Sequence, residues 1–189
     1  SLHNMETVLK SLEVQERENH LLVKAHLSLG AIARTWRAPH TVVYRIFADG
    51  RVLMDIQGEF AGPFGESPRD EVPRIGTTSK LPGRLQQVSY LAAGPGESYC
   101  DSKAQAPLNI YHPTVNEMNF PYECPQEQGN RTDCNFAVLK DGEGAGLAFV
   151  SLTGRDMSCK TCDDYDLLLA RHAKDVPVRD EITVHFDQL

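Results

Sequence analysis

Two runs of β-branched and aromatic residues separated by an Asp-Gly step constrain this chain more than any other feature. Thr41 to Phe47 reads TVVYRIF and Val52 to Ile56 reads VLMDI, and Ala48-Asp49-Gly50-Arg51 joins them. An Asp-Gly pair between such runs is a strong hairpin signal, because a tight hairpin turn requires the positive φ that these residues tolerate. Further strands are expected at Leu21 to Leu27, Gln87 to Leu91, Phe136 to Lys140, Leu147 to Ser151 and Ile182 to Phe186, the last with Ile182, Val184 and Phe186 on one face. The fold class these segments predict is all-β.

One helix is expected near the C-terminal end. Tyr165, Leu168, Leu169 and His172 fall at i, i+3, i+4 and i+7, with Asp163, Asp164 and Asp166 in the first turn and Arg171 and Lys174 at the other end, matching the helix dipole. Gly58 to Val72, rich in Gly, Pro and acids, reads as a long surface loop, and the stretch up to His40 as irregular. Ala104 to Asp133 contains Pro107, Pro113, Pro121 and Pro125 and reads as a long ordered loop region, the kind of segment that often carries function.

At 189 residues the chain fits one domain, and 41% hydrophobic with 24% charged residues is the balance of a folded globular chain rather than a disordered one. The formal charge of −7 and the lack of a Lys/Arg stripe argue against nucleic acid and anionic membrane as partners. No apolar run reaches the roughly 20 residues of a membrane span, and the N-terminus lacks the order of a signal peptide, so a cytoplasmic location is expected. The five cysteines, Cys100, Cys124, Cys134, Cys159 and Cys162, are scattered and read as reduced thiols. Cys159 and Cys162 form a CxxC without a second pair or an HxxxH, which favours ordinary thiols over zinc or redox chemistry. Asn130-Arg131-Thr132 is formally a glycosylation sequon, meaningful only in a secreted chain.

Four motifs, in order, give the chain a closer likeness. They are Tyr44-Arg45-Ile46-Phe47-Ala48-Asp49-Gly50 followed by Pro73-Arg74-Ile75-Gly76; Gly94-Pro95-Gly96-Glu97-Ser98-Tyr99-Cys100-Asp101; Pro121 to Asp133, reading PYECPQEQGNRTD; and Gly144-Ala145-Gly146-Leu147, then Ser158, Leu167 and His172. The set resembles the C-terminal domain of glycoside hydrolase family 2 β-galactosidases over roughly residues 40 to 187. The resemblance implies a large antiparallel β-supersandwich, similar in fold to galactose mutarotase, spanning 1–189 as a single domain cut short before the closing GxGG segment; independently of it, Ser1 and Leu2 read as vector-derived residues. It also implies that the catalytic glutamates of the parent sit on a separate (β/α)8 barrel, the partner of this domain. The sequence departs from the family where Tyr90 and Asn135-Phe136 replace tryptophan-containing positions, and where Thr183 aligns with a substrate-facing tryptophan.

No catalytic residue, metal ligand or cofactor is expected within the chain. Retaining glycoside hydrolysis needs two carboxylates about 5 Å apart, and nothing in the spacing of Glu97, Glu123 and Glu127 makes them converge. Instead Glu127, Asn130, Arg131 and Asp133 are expected to pin a loop by charge-assisted hydrogen bonds, with Arg131 gripping a carboxylate bidentately. The resemblance places that loop near an active-site mouth, so Gln126, Glu127, Asn130, Arg131 and Asp133 would either shape the rim of a galactoside pocket or act as a structural tie. Arg74, Gly94, Pro95, Glu97, Tyr99 and Asp101 are expected to be structural, with Tyr99 in the core, and His172 a buried histidine on the apolar helix face. The rival functions are an independent galactoside-binding module or small subunit of a two-chain enzyme, and an aldose epimerase, which would need His112 or His172 within hydrogen-bond reach of a motif carboxylate such as Glu127.

Overall fold

The computed structural model describes residues 5–31, 35–63, 72 and 74–188. The expectations for Ser1, Leu2 and Pro73, and most of the loop expected between Gly58 and Val72, lie outside the described residues. The chain divides into two compact units, Ser1–Glu71 and Val72–Leu189, each built on antiparallel strands, so the all-β class is what the structure has.

The first unit is a meander of four strands in sequence order: β1 (Met5–Glu16), β2 (Leu21–Ala31), β3 (Ala38–Ile46) and β4 (Val52–Gly58). The expected β3–β4 hairpin forms as the Asp-Gly signal dictates. Gly50 sits at φ +88°, Phe47 N–H donates to the Arg51 carbonyl at 2.9 Å, and the Asp49 carboxylate accepts from Arg51 N–H at 3.1 Å. Register puts Leu12 opposite Ala25, Ala25 opposite Val42 and Val42 opposite Ile56, so apolar residues share one face, while Glu13, Lys24 and Asp55 fall on the other. The β1–β2 ladder shifts register between Leu9 and Ser11, a bulge centred on Lys10.

The second unit is a six-stranded sheet in the order β5-β10-β9-β8-β6-β7, comprising β5 (Ile75–Pro82), β6 (Gln87–Ala93), β7 (Leu108–Tyr111), β8 (Arg131–Lys140), β9 (Gly146–Lys160) and β10 (Glu181–Gln188). Its core lies on one face, where Val88, Tyr90, Ala137, Leu139, Met157, Cys159, Ile182 and Val184 are buried together. A one-turn helix, α1 (Val115–Met118), closes over that core with Val115 and Met118 and is started by a capping box between Thr114 and Glu117. Residues 104–133 therefore hold the end of a 3-10 turn (Lys103–Gln105), a strand, a helix and the start of β8, and not one long loop. The four prolines punctuate short elements here rather than replacing them.

The C-terminal helix, α2 (Asp164–Leu169), is shorter than its pattern suggested and turns a different side inward. Leu167 is buried, whereas Tyr165, Leu168 and Leu169 are exposed. Asp163 caps it, with Asp166 reaching back to the Asp163 N–H at 2.8 Å, and the helix stops at Ala170. His172 falls beyond it, exposed, at the start of a 3-10 turn whose Asp175 accepts from the His172 N–H. The expected buried histidine on an apolar face is thus corrected: the acidic cap and the extended residue at Ala170 confine the helix to six residues, so the i+7 position is never reached.

Candidate functional site

The second and third motifs meet. Glu97 reaches across to the 121–133 segment, where its carboxylate accepts from the Tyr122 hydroxyl and from Gly129 N–H at 3.0 Å. Ser98 and Asn130 are fully buried against each other: Ser98 N–H donates to the Asn130 carbonyl at 2.8 Å and Asn130 Nδ2 donates to the Ser98 carbonyl at 2.9 Å. Asn130 Nδ2 also reaches Asp156 Oδ1 on β9 at 3.0 Å, and the Ser98 hydroxyl donates to the Ala93 carbonyl and accepts from Thr132 N–H. Hydrogen bonds of this density inside a low-dielectric interior fix a loop in a single conformation.

Arg131, expected to grip a carboxylate, instead lies buried on the core side of the sheet. Its Nε–H donates to the Tyr90 hydroxyl at 3.1 Å, and Nη1 donates to the carbonyls of Gly129 at 2.9 Å and Asn130 at 3.2 Å. The Tyr90 hydroxyl passes on a bond to the Pro95 carbonyl, so the guanidinium ties its own loop to β6 and, through Tyr90, to the second motif. Burial raises the Tyr90 pKa against the pull of Arg131. The peptide bond between Gly94 and Pro95 is cis.

Glu127 is exposed and accepts from the Tyr99 hydroxyl and from Arg74 Nη2 at 3.3 Å, while Arg74 Nε contacts Asp187 Oδ2 at 3.0 Å. Tyr99 is therefore half-buried with its hydroxyl committed to Glu127, not a core residue, and burial together with that bond pushes its pKa up. The Tyr122 hydroxyl is pushed up to about 12 by its bond to Glu97. Asp133 takes φ 59° and accepts from Lys103 Nζ at 2.9 Å. Gln126, Glu123 and Asp101 are exposed at the margin of this network.

Gly129, at φ +75°, is the residue the loop depends on locally, and a Cβ there would also meet the Met118 carbonyl at 2.9 Å. Gly129→Ala is expected to destabilise the second unit by about 1–2 kcal/mol, since a strained left-handed backbone is added to a close approach. A thermal melt within a degree of wild type would show that the loop relaxes instead.

A second polar set lies on the sheet face opposite the core, and the sequence reading missed it. Thr183, His185 and Asp187 on β10 alternate with Ile182, Val184 and Phe186, and pair with Lys160, Ser158 and Asp156 on β9. Thr183, His185, Asp187, Ser158 and Lys160 are all buried. Lys160 Nζ is 2.6 Å from Asp164 Oδ1, and His185 Nε2 is 3.3 Å from Asp164 Oδ2. Burial opposes ionisation of Asp164, but His185 and Lys160 outweigh it and hold its carboxyl well below the usual range. Asp187 goes the other way, raised by burial despite Arg74. The Thr183 hydroxyl donates to Asp163 Oδ1 at 2.8 Å and accepts from Lys80 Nζ at 2.8 Å, so Thr183 is an interior strand residue. A period-2 strand with small or polar residues on its second face gives a legible signal, because Thr, His and Asp recur at alternate positions.

The remaining candidates separate. His112 is exposed and its Nδ1 bonds Ser89 Oγ at 2.9 Å, away from the Glu127 partners, and His172 is exposed on its own turn. Cys159 and Cys162 are buried free thiols, with burial pushing Cys159 up to about 12, and no group of metal-binding side chains occurs among the described residues. No helix among the described residues is long and apolar enough to cross a membrane.

What the fold and this cluster define is an all-β segment whose motif side chains bind one another. The family model for the β-galactosidase small chain matches residues 2–189, and the chain belongs to that family. It is 27% identical over 182 residues to a β-galactosidase of Priestia megaterium, covering 96% of this chain and 17% of that protein. It is 35% identical over 136 residues to a β-galactosidase of Kluyveromyces lactis, covering 70% of this chain and 12% of that protein, and 33% identical over 108 residues to one of Vibrio cholerae, covering 57% and 10%. The chain thus spans less than a fifth of the length of these relatives.

Proposed function

We propose that the chain is a non-catalytic domain of a glycoside hydrolase family 2 β-galactosidase, in a single mutarotase-like supersandwich, and that it buttresses a catalytic barrel and lends the 126–133 loop to the rim of the active site. The parent would hydrolyse terminal β-D-galactosides with retention. The observation that carries this reading is the use made of the motif carboxylates. Glu97 and Glu127 are engaged by Tyr122, Gly129, Tyr99 and Arg74 inside the chain, an arrangement suited to holding a loop rather than to attacking or protonating a glycoside. A loop so held shapes a pocket through preorganisation, positioning a substrate without exchanging protons with it. The description of the family as a small chain also favours the related reading of a subunit that completes a larger partner. The epimerase reading lacks its histidine, since neither His112 nor His172 meets a motif carboxylate.

Assaying the chain alone with a chromogenic β-galactoside, and titrating it with galactose in a calorimeter, tests the proposal. No turnover and no heat are expected. Turnover would overturn the non-catalytic reading, and heat without turnover would replace it with a galactoside-binding module. In the longer enzyme, Glu127→Ala is expected to lower kcat/KM by about tenfold, roughly 1.4 kcal/mol of lost transition-state positioning, while leaving the protein folded; unchanged kinetics would remove the loop from the rim.

A further inference from the structure

The sheet of the first unit has one face that is nearly all apolar and one that mixes charged with apolar side chains. On one, Leu12, Val14, Leu21, Val52, Met54 and Ile56 lie side by side through the strand register and are 39 to 57% exposed. On the other Glu13, Lys24, Arg45 and Asp55 stand among Leu22, Val43 and Leu53. Strands that alternate in this way are written for burial on their apolar side, and antiparallel sheets ordinarily solvate only the polar one. A continuous apolar patch beyond a few hundred Å² on a chain of this size marks an interaction surface.

We propose that this apolar face is a docking surface for the remainder of a β-galactosidase, the chain that lies outside the segment shared with the relatives. The proposal rests on the reading given above and names the place where the domain meets its partner. Two observations choose that occupant. The shared segment is only 17% of the Priestia megaterium protein and 12% of the Kluyveromyces lactis protein, so the greater part of each is available to cover it. A second copy of this chain is disfavoured by bringing together two bodies of formal charge −7. The partner surface is accordingly apolar and closely packed, a layer of side chains with its own backbone already hydrogen-bonded.

Met54 supplies the test, because methionine oxidation reports side-chain accessibility and Met118 and Met157 are buried internal references. Hydroxyl-radical footprinting should oxidise Met54 at least tenfold faster than Met118 or Met157 in this chain alone, and slow at least tenfold at Met54 in the longer polypeptide that carries the segment. Equal Met54 oxidation in the two would overturn the proposal. So would protection already present in the isolated chain, which points to the chain's own second unit when independent of concentration and to a second copy when it grows with concentration. As a second variant, Val52→Lys should weaken association of the chain with its separately produced remainder at least tenfold without changing the chain's far-UV spectrum; unchanged association would also overturn it. Galactoside turnover of the longer polypeptide with and without the segment reads the functional proposal separately. Turnover indifferent to the segment defeats that reading, whereas turnover that needs the segment with Met54 unprotected defeats only the docking face.

Discussion

Arg131→Ala lowers the stability of the Val72–Leu189 unit by about 3 kcal/mol as an expected result, the largest effect of any single substitution in the motif loop. The side chain is 2% exposed, and its removal leaves the Gly129 carbonyl and the Tyr90 hydroxyl without their donor and opens a gap beside Tyr90, while the Asn130 carbonyl keeps its bond from Ser98 N–H. Each orphaned buried acceptor costs about 1–3 kcal/mol, partly offset because a guanidinium no longer has to be desolvated. Arg131→Lys should fall between the two, since an ammonium keeps the charge but cannot span three acceptors with a planar fork. In a domain of this size the alanine variant should melt roughly 10 °C or more below wild type. A loss of only a degree or two, or a lysine variant worse than alanine, would show that the guanidinium is not the tie it looks to be.

Asp164→Asn should cost about 2–3 kcal/mol at neutral pH, the low end for breaking a buried ion pair because the Asp164 side chain is half exposed and water can replace part of it. Lys160, 1% exposed, loses its carboxylate in that variant, and His185 loses the same neighbour. The pH dependence has a definite sign. A carboxyl held below its ordinary value contributes stability that is fully present above about pH 4 and drains away as pH falls towards the depressed value. The gap between wild type and variant should therefore be widest near neutrality and close in strong acid. Asp187, raised by burial, works in the opposite sense: its ionised form is disfavoured in the folded chain, so protonation near and above pH 4 relieves a cost rather than removing a support. Urea titrations across roughly pH 2 to pH 6, about two units either side of a carboxylate's ordinary value, separate the two. A wild-type-to-variant gap that does not change with pH would sink the assignment.

The strands legible in the sequence were those whose pattern was unbroken. The β3–β4 hairpin announced itself by an Asp-Gly turn, and β6, β8, β9 and β10 each showed at least five residues of their run. β1 was not legible because the register shift between Leu9 and Ser11 interrupts its alternation, and β7 because four residues carry too little period beside Pro107. β5 hides behind Thr77, Thr78, Ser79 and Lys80, whose polarity reads as loop until β10 is placed opposite them. The motif loop was legible as a unit, but its bonding was not. Arg131 sits on the core side opposite Met157, but two register shifts separate it from the regular alternation of β8, and no local pattern tells a strand-borne arginine to seek Tyr90 and two carbonyls in place of an acid. Asp156 and Asp187 were missed for the same reason, since their neighbours are set by sheet order and not by distance along the chain.

The bulge at Lys10 also bears on the exposed edge of the first unit. β1 is an edge strand twelve residues long, and a straight edge of that length above an apolar face is a template for strands of other molecules. The extra residue breaks the two-residue rhythm of the exposed ladder and sets a cation where an incoming strand would have to dock. The exposed edge of the first unit is thus guarded against edge-to-edge association at a position outside the sequence motifs.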